Sequence, residues 1–179
     1  MGAISNTSPL CYLCLFDALH LLPALFGSIV VPPAVVEELS HASSPSKVRA
    51  WIAGMPIWLE VDGRELEASR EGRLARLHRG ERHAIQLALA GPSDIVLLDE
   101  LAARNVARDA GLAVTGVLGI LAEGAARGLI DLPESIARLR LTNFRVSPAL
   151  LQQILRRYSS RSGGRSRPGS QLGVCDPGV

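Results

Sequence analysis

Aromatic side chains make up only 4% of this 179-residue chain. Its core has to be aliphatic, and it offers few ring faces on which bases could stack. That speaks against an RNA-binding sheet of the aromatic kind. Cysteine is equally thin. Cys11, Cys14 and Cys175 are an odd number, which implies no disulfide framework and fits a reducing cytoplasm. No uninterrupted apolar run reaches the roughly 20 residues of a membrane helix, because Asp17, His20, Pro23 and Gly27 break the most apolar stretch, 9–31. The N-terminus lacks the charged region of a signal peptide, and no internal repeat is visible. The expectation is a soluble, cytoplasmic protein with no membrane association.

The chain does have ample apolar material, 47% of its residues, enough for one domain with a real core. Charge is unevenly spread. From Arg156 to Val179 five arginines face one acid, Asp176, a net +4, while the remainder carries 14 basic and 16 acidic residues, a net −2. Beyond Tyr158 the composition turns to Ser, Gly, Arg and Pro with almost nothing to bury. The expected organisation is therefore one domain over 1–158 and a disordered tail over 159–179. The tail could add non-specific RNA affinity through counterion release. An inert terminus, or a frame change past the usual end of such a domain, is the preferred reading.

Strand-like and helix-like segments alternate. Strands are expected at 2–5, 28–31, 57–61, 94–98 and 112–115. Helices are expected from Leu10 to about His20, from Pro32-Pro33 to Leu39, and at 47–53, 65–77, 81–90, 100–110, 117–127, 133–141 and 148–157. The run DIVLL at 94–98 is apolar on both faces, as in a central parallel strand. Such alternation predicts a three-layer α/β/α sandwich around a parallel sheet with right-handed crossovers.

Four polar residues then fall at telling places. Asn6 follows the first strand and Asp99 follows DIVLL, so both lie at carboxyl ends of strands, where functional groups collect in open parallel sheets. Glu38 lies in the helix after the second strand. Glu81 begins the helix before DIVLL and shares a face with Ile85 and Ala88, an odd place for a carboxylate that only needs water. Gathered acids suit a hard cation such as magnesium or manganese, with sites left for a phosphate oxygen and a water. The ion acidifies the water and offsets charge on the leaving oxygen. Any one acid on a helix is usually a solvated surface group, as Glu37 is expected to be, and Asp99-Glu100 could simply open a helix. Thr7 and Ser8 could orient water or phosphate. Arg104 and Arg108, one helical turn apart, could meet RNA phosphates or be solvated.

The segments ISNTSPL, IVVPPAVVEEL, RGERHAIQLALA, DIVLLDELAAR and LAVTGVLGIL, in this order over about residues 3–157, resemble PIN-domain proteins. The likeness is nearest to the subgroup with a D/N-T-S-P-L opening, the VapC-like toxin ribonucleases of prokaryotic toxin–antitoxin pairs. The resemblance implies endoribonuclease activity dependent on Mg2+ or Mn2+, and a homodimer held by a small cognate antitoxin. Matched by position, the family's four acids fall on Asn6, Glu38, Glu81 and Asp99. The expected metal ligands are Glu38, Glu81 and Asp99, with Thr7, Ser8 and Arg104 placing substrate or water and Glu100 as an outer ligand. Asn6 departs from the pattern, since an amide oxygen can coordinate but brings no charge. A slower nuclease, one with a different metal demand, and a module that only binds RNA or antitoxin all remain open. An unrelated receiver-like domain is disfavoured, because it would cluster its acids after strands one and three only.

The remaining motifs have plain readings. Cys11-Tyr-Leu-Cys14 has no second pair and sits on an apolar helix, so core cysteines are expected. His20, His41, His78 and His83 lack metal spacing. His83, two residues past Glu81, is rotated about 200° from it and should point away to the surface. Gly116 and Gly119 lack a full dinucleotide pattern and read as close helix packing.

Overall fold

The computed structural model describes residues 2–64, 72–91, 93 and 95–162. Five three-residue strands are present: β1 Ala3–Ser5, β2 Ile29–Val31, β3 Leu59–Val61, β4 Ile95–Leu97 and β5 Ala113–Thr115. They pair in parallel in the order β3-β2-β1-β4-β5. The helices are α1 Thr7–Leu15, α2 Leu21–Phe26, α3 Pro33–Ser40, α4 Ser46–Ala53, α5 Arg79–Ala90, α6 Leu101–Asp109, α7 Val117–Ala126, α8 Leu132–Leu139 and α9 Pro148–Ser162.

Side-chain alternation along the strands divides the core into two clusters. Ala3, Ile29, Val31 and Leu97 point to one face and pack with Leu10, Leu13, Leu21, Ile120 and Leu121 of α1, α2 and α7. Their neighbours Ile4, Val96 and Leu98 point to the other and pack with Ala84 and Ile85 of α5 and Ala103 and Ala107 of α6. The result is the expected α/β/α sandwich. The chain runs outward from β1 through β2 to β3, then returns to the other side of β1 for β4. The strand order therefore reverses between β1 and β4, and in open parallel sheets ligands bind at the carboxyl ends beside such a reversal.

Several elements differ from the sequence expectation. The first helix starts at Thr7, within the Asn6–Pro9 stretch that reads as a turn and helix start, and stops at Leu15 rather than running to His20. Asp17 has φ 63, its N–H donates to Cys14 O, and Ala18 N–H donates to Leu13 O. That pairing closes a helix in a left-handed C-terminal turn, here with Asp in the place glycine usually takes, and Lys47 pairs with the Asp17 carboxylate at 2.8 Å. The chain then makes a helix that was not expected, α2. Ile57, expected in the third strand, precedes β3 and is fully exposed. Of the helix expected over 65–77, residues 65–71 lie outside the described residues, and Leu74–Arg76 form a 3-10 turn. The helix α9 runs on to Ser162, and 163–179 lie outside the described residues. Among the described residues no helix is long and apolar enough to cross a membrane.

Candidate active site

Asn6 is the N-cap residue of α1, directly beyond β1. Its backbone N–H donates to Leu97 O at 3.2 Å, which extends the β1–β4 pairing and holds the residue against the end of β4. The side chain is 2% exposed, and its Oδ1 has no partner among the described residues. Asp99, two residues past β4, is also largely enclosed. Its Oδ1 accepts from Val117 N–H, the first residue of α7, at 2.9 Å, while its Oδ2 is buried without a partner. Burial pushes the Asp99 carboxyl up to about 6, against the pull of the Val117 N–H and of Arg104, with Glu100 adding to the rise.

Glu81 is the third residue of α5 and is 5% exposed. Ala84, Ile85, Leu87 and Ala88 sink this helix into the core. Each buried Leu or Ile there is worth roughly 1.5–3 kcal/mol, enough to draw in a carboxylate that would otherwise stay in water. One oxygen, Oε2, accepts from His78 N–H at 3.2 Å, the reach-back half of a capping box. The other, Oε1, is buried and unpaired. Burial raises the Glu81 carboxyl, the His78 N–H opposes that, and the charges of Glu100 and Glu38 raise it further. These couplings bring Glu38, Glu81 and Glu100 into one electrostatic neighbourhood.

Glu38 is held differently. Thr7 Oγ1 donates to its Oε2, and Gly80 N–H donates to its Oε1 at 3.0 Å. A Cβ on Gly80 would lie 2.8 Å from Oε2 and 2.9 Å from Oε1, so the absence of a side chain there is what lets the carboxylate sit on the α5 backbone. Thr7, expected to place substrate or water, is thus engaged with Glu38. Ser8 is half-buried in the first turn of α1.

Arg104 is half-buried, and its Nη1 donates to Leu98 O at 2.8 Å. A Cβ on Gly116 would meet Asp99 Oδ1 at 2.5 Å, Leu98 O at 2.7 Å and Arg104 Nη1 at 2.8 Å. The three groups therefore converge on one point that only glycine leaves clear. Close packing was the reading for Gly116, but its role beside Asp99 was not foreseen, and nothing in the TG dipeptide signals it. His83 is partly exposed and partly enclosed, and burial together with Arg79 and Arg82 lowers its pKa while Glu37 and Glu38 oppose. Cys11 and Cys14 are free thiols whose pKa values burial raises.

Among the described residues, the buried side-chain oxygens with no partner are Asn6 Oδ1, Glu81 Oε1 and Asp99 Oδ2. All three lie at positions singled out from sequence, and an all-oxygen donor set of this kind suits a hard divalent cation. Yet no three His, Cys, Asp or Glu side chains among the described residues are gathered into a cage that could hold a metal. A cavity of about 1080 Å3 lies elsewhere, lined by Gly2, Ser28, Leu87 and Ser93 among others, and none of the four positions borders it.

A family model described as the PIN domain matches residues 2–160. No curated protein and no solved structure matches the chain. The family match runs from β1 into α9 and takes in every candidate residue above, so the chain belongs to the PIN domain family and has its nuclease-type fold.

Proposed function

We propose that this protein is a metal-dependent endoribonuclease that hydrolyses RNA phosphodiesters, the toxin of a type II toxin–antitoxin pair, acting in the cytoplasm as a homodimer held by a small cognate antitoxin. The catalytic unit is residues 1–158, with 159–179 as an Arg-, Ser- and Gly-rich tail that takes no part in it. The observation that carries the reading is the set of buried, unpartnered oxygens on Asn6, Glu81 and Asp99. Leaving such atoms unpaired costs on the order of 1–3 kcal/mol each, and they fall where family resemblance puts the cation.

Glu81, Asp99 and Glu38 would hold Mg2+ or Mn2+, with Asn6 lending a neutral oxygen. The ion, when bound, supplies the charge that activates water and offsets the leaving oxygen. The chain's own part is orientation. Val117 N–H fixes one Asp99 oxygen and leaves the other free. The His78 N–H does the same for Glu81. Thr7 and Gly80 N–H fix the Glu38 carboxylate. Arg104, with one of its five N–H donors on Leu98 O, offers others to a phosphate oxygen, and Ser8 positions water or phosphate.

A second reading, a PIN-fold module that acts by binding RNA or antitoxin, is favoured by Asn6 and by the lack of a three-acid cage among the described residues. Purified protein incubated with a mixed structured RNA and Mn2+, beside Asp99→Asn and a chelator control, separates the two. Cleavage lost in both controls supports the nuclease. No cleavage by folded, antitoxin-free protein supports the binding module.

A further inference from the structure

Glu38 is held in a way that the other three candidate positions are not. Asn6, Glu81 and Asp99 each keep a buried oxygen with no partner among the described residues. Glu38 is half-buried, and both of its oxygens are engaged: Oε2 accepts from Thr7 Oγ1, and Oε1 accepts from Gly80 N–H at 3.0 Å. The partners matter by their place in the chain. Thr7 directly follows Asn6, and Gly80 directly precedes Glu81. One carboxylate thus joins the neighbours of two residues that carry free oxygens.

The link spans two layers. The helix α1 packs on one face of the sheet and α5 on the other, while α3, which carries Glu38, packs against both. Gly80 is the second residue of α5, where an N–H has no partner within its own helix and the helix dipole favours an anion. Hydrogen bonds to an ionised carboxylate are also stronger than neutral ones. These needs account for an acid at Glu38 without any metal. The residue is anchored from behind as well: its carbonyl accepts from Ser44 Oγ at 2.7 Å and from His41 N–H at 3.3 Å.

We propose that Glu38 is a positioning residue, a strut that fixes the start of α1 against the start of α5 and so sets the spacing of Asn6 and Glu81, whose free oxygens, with that of Asp99, make the direct bonds to a divalent cation. This inference rests on the nuclease reading and gives Glu38 a narrower part in it: Glu38 holds the ion by holding the residues that bond it. A ligand has to supply charge, whereas a strut needs only its hydrogen bonds. Glutamine separates the two roles, because its carbonyl can accept from Gly80 N–H and its amide can donate to Thr7 Oγ1.

The test titrates Mn2+ into the full chain, reading free Mn2+ by its EPR signal, and measures denaturant melts of the same proteins in chelator. Glu81→Gln and Asp99→Asn strip charge from direct ligands and are expected to weaken Mn2+ binding by about tenfold or more. Glu38→Ala removes the strut and weakens binding by a similar factor. Glu38→Gln restores it to within about threefold of wild type, the remainder being the loss of a charge that acts at a distance. A glutamine variant as damaged as the alanine one would make Glu38 a ligand and overturn the strut, and so would binding that neither variant disturbs. The melts add a second check. Thr7→Val and Glu38→Ala break the same hydrogen bond, so their costs should not add in the double variant. Additive costs overturn the strut whether or not an ion binds. A wild-type chain that takes up no Mn2+, with costs that do not add, removes the nuclease reading and leaves the bridge between α1 and α5 standing.

Discussion

Asn6 and Asp99 end neighbouring parallel strands on the two sides of the point where the strand order reverses, and each buries an oxygen that has no hydrogen-bond partner among the described residues. The link between them is backbone: Asn6 N–H reaches Leu97 O, two residues before Asp99. Polar atoms are seldom buried and abandoned in this way. Two such atoms on adjacent strand ends, with Glu81 Oε1 as a third, call for a ligand that supplies positive charge.

The first consequence concerns Asp99. Asparagine at that position keeps an oxygen to accept from Val117 N–H and removes the charge. Asp99→Asn is expected to lower RNA cleavage by at least about 100-fold while shifting the melting temperature by only a few degrees. A variant that melts normally and cleaves at the wild-type rate would remove Asp99 from the site.

A second consequence concerns pH. Burial places the Asp99 carboxyl at about 6 in the folded protein, from an ordinary value of 3.8. The folded state therefore holds this proton more tightly than the unfolded chain. The stability tied to it is fullest below about pH 4 and is lost as pH rises through 6, in total about 3 kcal/mol. Glu81 is raised as well and adds in the same direction. Exposed acids with lowered pKa values, Asp17 and Asp62, work the opposite way, so the comparison that isolates Asp99 is wild type against Asp99→Asn. Denaturant midpoints measured in metal-free buffer across about pH 4 to 7 should fall more steeply for the wild type. Parallel curves would mean that the carboxyl is not raised.

The two glycines that face carboxylates should respond differently to alanine. At Gly116 the new Cβ would press on Leu98 O, a backbone atom of the strand end, as well as on Asp99 and Arg104. Backbone cannot step aside cheaply, so Gly116→Ala is expected to cost about 1–3 kcal/mol. At Gly80 the Cβ meets the far end of the Glu38 side chain, which can rotate away. Gly80→Ala should therefore leave stability within about 1 kcal/mol but break the Gly80–Glu38 hydrogen bond and lower cleavage. Calorimetric melts beside cleavage rates check the pair, and equal stability losses at the two sites would sink the distinction.

Much of this could be read in the sequence, for reasons specific to the residues. The apolar run ending at Leu98 announces a buried central strand, so Asp99 had to lie at its end, and the spacing of Glu81 to Ile85 and Ala88 placed that acid on a core face. Asn6 followed from the same logic at β1. What could not be read depends on contacts between distant segments or on an unusual residue in a familiar turn. Nothing in Thr7 or Glu38 states that they bond across 31 residues. Likewise, a glycine in RGER or VTG does not reveal that a carboxylate occupies the space its side chain would fill. Asp17 hides a helix end because glycine is the usual sign of one. Periodicity tells which way a side chain faces, and it is silent on what it meets there.

The last prediction turns on Asn6. Restoring aspartate would place a second carboxylate beside Asp99 in a site that already disfavours one. Without metal, Asn6→Asp should lose stability at neutral pH, because like charges in a poorly solvated site repel and one of them is forced to keep its proton. With Mn2+ the same charge is an added ligand, and affinity should rise by about tenfold or more, close to 1.4 kcal/mol. A ligand that binds only the folded state stabilises it in proportion to its affinity, so melting curves of the two proteins should cross: the variant below wild type in chelator and above it in Mn2+. A variant destabilised in both conditions would mean that Asn6 Oδ1 is buried for packing and that the proposed metal does not reach it. A variant stabilised in both would mean that the end of β1 is better solvated than its 2% exposure implies.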